Sequence, residues 1–244
     1  YMKLAFGPCE VIVSPAESVK KDLIEHGITN PLVVCNNGLH VDHSVLDKKL
    51  HQRIKKRHKI IPEQTVLYIG RLSKEKNLSE LIKVFYSLQL QKPETRLILV
   101  GNGPMRDELE TLVHLYDIDH KVIFLGELKH TDIFRMGIFK LARVFLTCST
   151  SEVQPMSIIE ALFYGMPVVA SLSQGMTDLI DDGKNGFLVK RTSTDDFVQT
   201  ISQILDDDVL FQNLSKQALK KASQFTVANS AKSYLKVFEK IIRD

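Results

Sequence analysis

Tryptophan is absent from this chain of 244 residues and cysteine is scarce. The cysteines, Cys9, Cys35 and Cys148, are scattered through strand-like runs, with no C-x-x-C spacing among them. That usage argues against a zinc site or a disulfide framework and fits a reduced, cytosolic setting. Long apolar runs are missing too, and none approaches the roughly 20 residues of a bilayer span. No secretory leader is expected from the opening residues. Neither sign of charge dominates: 32 basic against 29 acidic residues leave +3. So mild a balance gives no footprint for nucleic acid, and no nucleic-acid partner is expected. His40 and His43 flank Asp42, but no third ligand stands at helical spacing, so no metal is expected there. The chain opens Tyr1-Met2 inside what reads as a structural unit, which predicts a piece of a longer protein.

What is present is a regular alternation. Apolar residues make up 44% of the chain, enough for a sizeable core. Residues 9–13, CEVIV, read as a strand. A helix over AESVKKDLIEHG follows, with Val19, Leu23 and Ile24 inward and Gly27 at its end. PLVVC reads as a second strand, and Asn36-Asn37-Gly38 as a turn. Residues 45–59 form a basic helix, with Leu46, Leu50 and Ile54 on one side. Lys48, Lys49, Arg53, Lys55, Lys56, Arg57 and Lys59 occupy the rest. Such a helix can lie on an anionic membrane; the favoured reading is a linker helix packing its aliphatics on its own protein.

From residue 64 the pattern becomes strict. QTVLYIG, TRLILVG, HKVIFLG and ARVFLTCS read as strands. LSELIKVFYSLQL, PMRDELETLVHLYDI and HTDIFRMGIFKL read as the helices between them. The first has Leu78, Leu81, Ile82, Phe85 and Leu88 on one face, and Thr131 or Asp132 should start the third. FLV makes a last short strand, and helices begin at TSTDDFV, LFQNLSK and NSAKSYL. The fold class is therefore α/β, a Rossmann-like parallel sheet covered by helices on both faces. Ligands on such sheets bind at the carboxyl ends of the strands.

The most informative stretch is Ser149–Ala170, STSEVQPMSIIEALFYGMPVVA, which reads as loop, helix, strand after ARVFLTCS. Pro155 suits the first helical position, where a missing N–H has no partner to lose. Gln154 before it is pushed toward an extended backbone. The N–H groups of Met156, Ser157 and Ile158 then point out of the helix start, a site for an anion and above all a phosphate. Glu152 precedes that site, and Glu160 follows about a turn along the helix. A carboxylate on each side of a phosphate suits a ligand with a diphosphate in the middle and hydroxyl-rich sugars at its ends. Alone, two glutamates at this spacing would be solvated surface residues. The proline, the small residues and the flanking strands give the pair its meaning.

Three other loops follow strands. In Gly70–Asn77, Gly70 allows close backbone approach, Arg71 and Lys76 place two cations at the strand end, and Lys74 reads as a surface cation. Gly101-Asn102-Gly103-Pro104 looks like a dinucleotide fingerprint without its third glycine, or a tight turn into a helix from Pro104. Gly126-Glu127-Leu128-Lys129 is the third.

The spacing of Glu152 and Glu160, the PMSIIEAL core and the closing G-x-PVVA resemble the retaining glycosyltransferases of the GT-B fold, glycosyltransferase family 4. The resemblance implies that Glu152 contacts the donor sugar, Glu160 the ribose, and the amides of Met156–Ser157 the distal phosphate. The matching G-R-x-x-x-x-K, Gly70 to Lys76, implies diphosphate contacts from Arg71 and Lys76. Fixed cations there stabilise the charge that builds as the sugar leaves. They can do the work of a metal, so neither metal nor cofactor is expected. By the same resemblance Gly103 lies at the floor of the donor cleft, and Gly126, Glu127 and Leu128 lie near the nucleobase. SLSQGMTDLIDDGKNGFLV is similar to the family's GG-x-x-E-x-I…G-x-NG-x-L-V run, which puts Gly175 near the sugar. Gln174 and Asp178 depart from that run. Val153 stands where the family commonly has Gly, which narrows the room beside the sugar.

The resemblance implies four parts: residues 1–40, the tail of an acceptor-binding Rossmann domain; 41–63, a basic linker; 64–228, the C-terminal nucleotide-sugar-binding domain; and 229–244, a helix crossing back to the N-terminal domain. The expected activity moves a hexose from a UDP- or GDP-sugar to a glycan or lipid-linked acceptor, with retention and without metal. The expected setting is cytoplasmic, and peripheral contact at the inner membrane face through residues 45–59 is the alternative to the favoured linker reading. This chain alone should bind donor and transfer poorly, because most of the acceptor site would lie outside it. The alternatives are another GT-B enzyme of the glycogen or sucrose synthase type, or a non-catalytic nucleotide-sugar-binding module. Retention of Arg71, Lys76, Glu152 and Glu160 argues against the module.

Overall fold

The computed structural model describes residues 6–41, 45–190 and 193–243. Asp42, His43 and Thr192 lie outside the described residues. Strand β1 (Ile12–Ser14) is followed by helix α1 (Glu17–Glu25) and strand β2 (Leu32–Val34), and the two strands pair in parallel. Gly27, at φ +80°, ends the helix as its sequence predicts. Both strands are shorter than CEVIV and PLVVC suggest, and Ile24 is exposed rather than inward.

Asn36-Asn37-Gly38 does not turn. The segment continues irregularly, and Leu39 bridges to Thr226. Gly38 is needed for contact: a Cβ there would sit 2.7 Å from the Cα of Val227. Val227 opens the last helix, α10 (Val227–Arg243), so a tight backbone crossing joins the two ends of the chain. Leu235, Phe238 and Ile242 of that helix remain exposed.

The basic segment forms α2 (Lys48–Arg57), shorter at both ends than predicted. Asp47 caps it, its carboxylate accepting from the Leu50 N–H at 3.0 Å. Ile54 packs on the core, and Leu46 reaches the position that a Cβ on Gly137 would occupy, 2.6 Å away. His51 Nδ1 lies 3.0 Å from the Met136 carbonyl. The aliphatics are thus spent on the protein itself, and Lys48, Lys49, Arg53, Lys56 and Arg57 face solvent.

The main sheet alternates with helices: β3 (Thr65–Ile69), α3 (Leu78–Gln91), β4 (Arg96–Val100), α4 (Arg106–Leu115), β5 (Val122–Gly126), α5 (His130–Met136), β6 (Val144–Thr147), α6 (Met156–Phe163), β7 (Val168–Ser171), α7 (Met176–Leu179) and β8 (Gly186–Val189). Helices α8 (Thr194–Asp206) and α9 (Asp208–Ala222) lead to α10. All six strands are parallel, in the order β5-β4-β3-β6-β7-β8. The chain runs outward from β3 to β5, then returns to the other side of β3 with β6. The order therefore reverses between β3 and β6, and such a reversal opens a crevice at the carboxyl ends.

Strand β3 shows why both faces must be covered: all five of its residues are buried. Leu67 and Ile69 face a core shared with Ile133, Ile158 and Ile159. Val66 and Tyr68 face the other core, with α3, α4 and α8. Helix α3 buries Leu78, Leu81, Ile82, Phe85 and Leu88 as the periodicity predicts, and Val84 besides. Each contributes about 1.5–3 kcal/mol relative to an exposed position. Two helix starts differ from expectation. Helix α4 begins at Arg106, because Pro104 and Met105 form a turn. Helix α5 begins at His130 with Lys129 as its cap residue, so neither Thr131 nor Asp132 caps it.

Candidate active site

Each strand end contributes a loop, and glycine lets these loops meet. Gly101 has φ +131°, and a Cβ there would lie 1.9 Å from the Gly70 carbonyl oxygen. A Cβ on Gly103 would lie 2.4 Å from the Leu72 oxygen, and the Leu72 N–H donates to the Asn102 carbonyl at 2.9 Å. The loop after β4 thus lies against the loop after β3, and the glycines supply shape rather than chemistry. Tyr68 supports the same loop from beneath, its hydroxyl donating to the Arg71 carbonyl at 3.1 Å. Burial, reinforced by the carboxylates of Glu152 and Glu75, pushes the Tyr68 phenol up, so it stays a donor.

The loops after β3 and β6 are tied across the reversal point. The Glu75 carbonyl accepts from the Thr150 N–H at 3.0 Å, from Ser149 Oγ at 3.1 Å and from Thr150 Oγ1 at 3.2 Å. Ser73 donates to the Glu75 carboxylate at 2.5 Å and holds its pKa below the usual range. Lys76 Nζ then reaches Glu152 Oε1 at 2.6 Å.

This closure leaves a cavity of about 240 Å³, lined among others by Gly70, Arg71, Lys76, Glu152, Pro155 and Met156. Ser157, Ile158, Tyr68 and Thr147 also line it. A second cavity, about 530 Å³, is lined by Gly70, Arg71, Gly103, Glu127, Leu128 and Ile133, among others. Arg71 belongs to both. The predicted residues therefore converge on two adjoining hollows at the carboxyl edge of β3, β4 and β6.

Details of the helix start depart from expectation. Pro155 is the cap residue rather than the first helical residue, and α6 begins at Met156. The Ile158 N–H donates to the Pro155 carbonyl at 3.2 Å, so it is not available to an anion. The amides that face outward without an intrahelical acceptor belong to Met156 and Ser157.

Three predicted residues stand outside both hollows. Gly126 ends β5 at φ +73°, one residue before the cavity wall, and its carbonyl accepts from the Gly101 N–H at 2.8 Å. Gly175, at φ +82°, packs on the loop of Glu152, whose carbonyl oxygen would lie 2.3 Å from its Cβ. Glu160 is only 4% exposed and makes a 2.7 Å contact with His130 Nε2. Burial pushes its pKa up, and the His130 hydrogen bond and charge oppose that rise. Val153 is half-exposed and lines neither hollow.

Residues that sequence reasoning passed over include Tyr68 and His130, and Gln154 was read there for its backbone alone. Tyr68 could have been found as the inward residue two places before Gly70. Gln154 is buried; its amide oxygen accepts from the Asn37 N–H at 2.8 Å, and its Nε2 donates to Asn36 Oδ1 at 3.2 Å. It fastens the N-terminal segment to the loop of Glu152. Among the described residues no group of three or more His, Cys, Asp or Glu could hold a metal ion. None of the helices there is long and apolar enough to cross a membrane.

The profile of the family "Glycosyl transferases group 1" matches residues 50–221, which spans the whole sheet and both hollows. The chain belongs to that family. The alpha-monoglucosyldiacylglycerol synthase of Acholeplasma laidlawii is 27% identical over 157 residues, 64% of this chain and 38% of that protein. The sulfoquinovosyl transferase SQD2 of Arabidopsis thaliana is 28% identical over 224 residues, 88% of this chain and 42% of that protein. The chain therefore spans less than half the length of either glycosyltransferase. Among solved structures, Anabaena Alr3699/HepE in complex with UDP and glucose superposes with a TM-score of 0.86 at 22% identity. That match covers 98% of this chain and 65% of the other, and it places the sheet with the Rossmann-like domains of the GT-B fold.

Proposed function

We propose that this chain is the donor-binding half of a retaining family 4 glycosyltransferase that takes a nucleoside-diphosphate sugar, UDP- or GDP-linked. The observation that carries the reading is a single hollow lined by Arg71, Lys76, Glu152 and the start of α6, at the point where the strand order reverses. Arg71 and Lys76 hold the diphosphate from one side, and the Met156 and Ser157 amides hold its distal phosphate from the other. As the bond to the sugar breaks, negative charge collects on the diphosphate. Cations and amides already aimed there stabilise that state more than the ground state. The site thereby neutralises the leaving group without a resident metal or cofactor. Glu152 orients the sugar, Glu160 holds the ribose, and the 530 Å³ hollow takes the base.

The HepE complex contains UDP, which favours UDP over GDP as the first probe. The acceptor is a glycan or a lipid-linked sugar, and the protein works in the cytoplasm. The exposed cations of α2 would bring it to an anionic membrane by charge alone, because the aliphatic face of that helix is already packed. A saturation-transfer screen of UDP- and GDP-sugars, followed by calorimetry on Glu152→Ala and Glu160→Ala, tests the reading. Binding of one donor class that weakens in both variants supports it. Unchanged affinity in both variants overturns the site.

A further inference from the structure

Glu160 does not act alone. It sits in the second turn of α6 with its side chain 6% exposed, and His130 Nε2 stands 2.7 Å from its Oε1. His130 belongs to a different element, the first residue of α5, just beyond the loop of Glu127 and Leu128 that lines the larger hollow. Its ring meets Phe134 edge-on, with centroids 4.7 Å apart and planes at 88°. Phe134 in turn stacks on Tyr164, just beyond the end of α6, at 6.1 Å and 13°. Phe139 stacks on the same Tyr164 at 5.0 Å. Helices α5 and α6 are therefore clamped by aromatic rings, and the imidazole and the carboxylate approach each other from two fixed supports.

We infer that His130 is a positioning residue, which holds one oxygen of Glu160 so that the carboxylate meets the hydroxyls of the nucleotide's ribose in a fixed orientation. The inference rests on the ribose role given to Glu160 above. A carboxylate buried this deeply loses hydration and tends to take up a proton or rotate away. A donor from His130 counters both tendencies, since a hydrogen bond to the charged form favours it. A fixed, ionised carboxylate accepts from ribose hydroxyls, and less ordering remains to be done when the nucleotide arrives. His130 touches Glu160 and is assigned no contact with the reacting atoms.

The test is calorimetry with UDP, 2′-deoxy-UDP and 3′-deoxy-UDP on the wild type and on His130→Ala, His130→Gln and Glu160→Ala. His130 is 57% exposed at its side chain, so its substitution should leave folding intact. In the wild type, removal of at least one hydroxyl should weaken binding by about tenfold or more, as expected for a hydrogen bond to a charged group. His130→Ala should bring the UDP to deoxy-UDP ratio toward unity, and His130→Gln should restore it, because its amide can donate to the same oxygen. A general loss of order around α5 would weaken all three ligands alike and leave the ratio standing. If the ratio collapses in Glu160→Ala but stays at the wild-type value in His130→Ala, the positioning role is overturned and the ribose contact survives. If Glu160→Ala keeps the full ratio, or the wild type shows no ratio, the ribose contact falls and this inference falls with it.

Discussion

Lys76 and Glu152 meet at 2.6 Å across the reversal point of the sheet, joining the loop after β3 to the loop after β6. Their side chains are 21% and 12% exposed, so neither charge is well hydrated. Splitting such a pair leaves the survivor without its partner in a partly dry place. Lys76→Ala and Glu152→Ala should each destabilise the fold, and the double variant should cost less than their sum. Urea unfolding of the four proteins should give a coupling energy of about 1 kcal/mol. An additive result would mean that the pair does not hold the loops together.

The glycines offer a sharper contrast. Gly101 and Gly183 both have positive φ, but only Gly101 faces another backbone at the added Cβ. Gly183→Ala should cost about 1–2 kcal/mol from the left-handed conformation alone. Gly101→Ala should displace the Gly70 carbonyl and weaken UDP binding as well as stability. Thermal melts with and without UDP separate the two effects, and equal behaviour of the variants would contradict the packing described.

Glu160 yields a pH prediction with a definite sign. Burial raises its folded pKa above the ordinary carboxylate value, against the opposing hydrogen bond and charge of His130. The folded state therefore holds this proton more tightly than the unfolded chain does. The associated stability is present below pH 4.5 and lost as pH rises through the folded value. Glu160→Gln removes the charge that is costly to bury. Relative to wild type it should gain stability as pH rises from 4.5 toward neutral, while losing nucleotide affinity. Denaturant midpoints measured across that range check the slope. A stability difference that shrinks with rising pH would contradict it.

Helix α2 separates packing from charge. Ile54→Asp should cost about 2 kcal/mol, because Ile54 packs on the core. Arg53→Gln with Lys56→Gln should change stability by less than about 0.5 kcal/mol. The same double substitution should reduce sedimentation with phosphatidylglycerol vesicles. Unchanged sedimentation would remove the cations of α2 from any membrane contact.

Much of this was legible in the sequence, for identifiable reasons. Strand and helix alternation after residue 64 follows from apolar periodicity, and the buried face of α3 was read correctly because Leu78, Leu81, Ile82, Phe85 and Leu88 share one side. That Arg71, Lys76, Glu152 and Pro155 share one hollow was legible because strand ends and a helix start face the same edge of the sheet. What could not be read depends on distant backbone. Gly38 looks like a turn residue, yet its role is set by Val227 on the last helix. His130 has no motif, and only the folded sheet brings it to Glu160, thirty positions away. The end of the Ile158 amide's availability is a one-residue matter at a helix start, below what a pattern resolves.

The central claim is that a diphosphate is gripped between the start of α6 and the cations Arg71 and Lys76. Calorimetry comparing UDP with UMP on the wild type, Arg71→Ala and Lys76→Ala tests it most directly. The account predicts that the wild type binds UDP about tenfold or more tightly than UMP, as charge-assisted contacts to the second phosphate require, and that either substitution narrows the gap. Equal affinity for UDP and UMP, or a gap untouched by both substitutions, would contradict it.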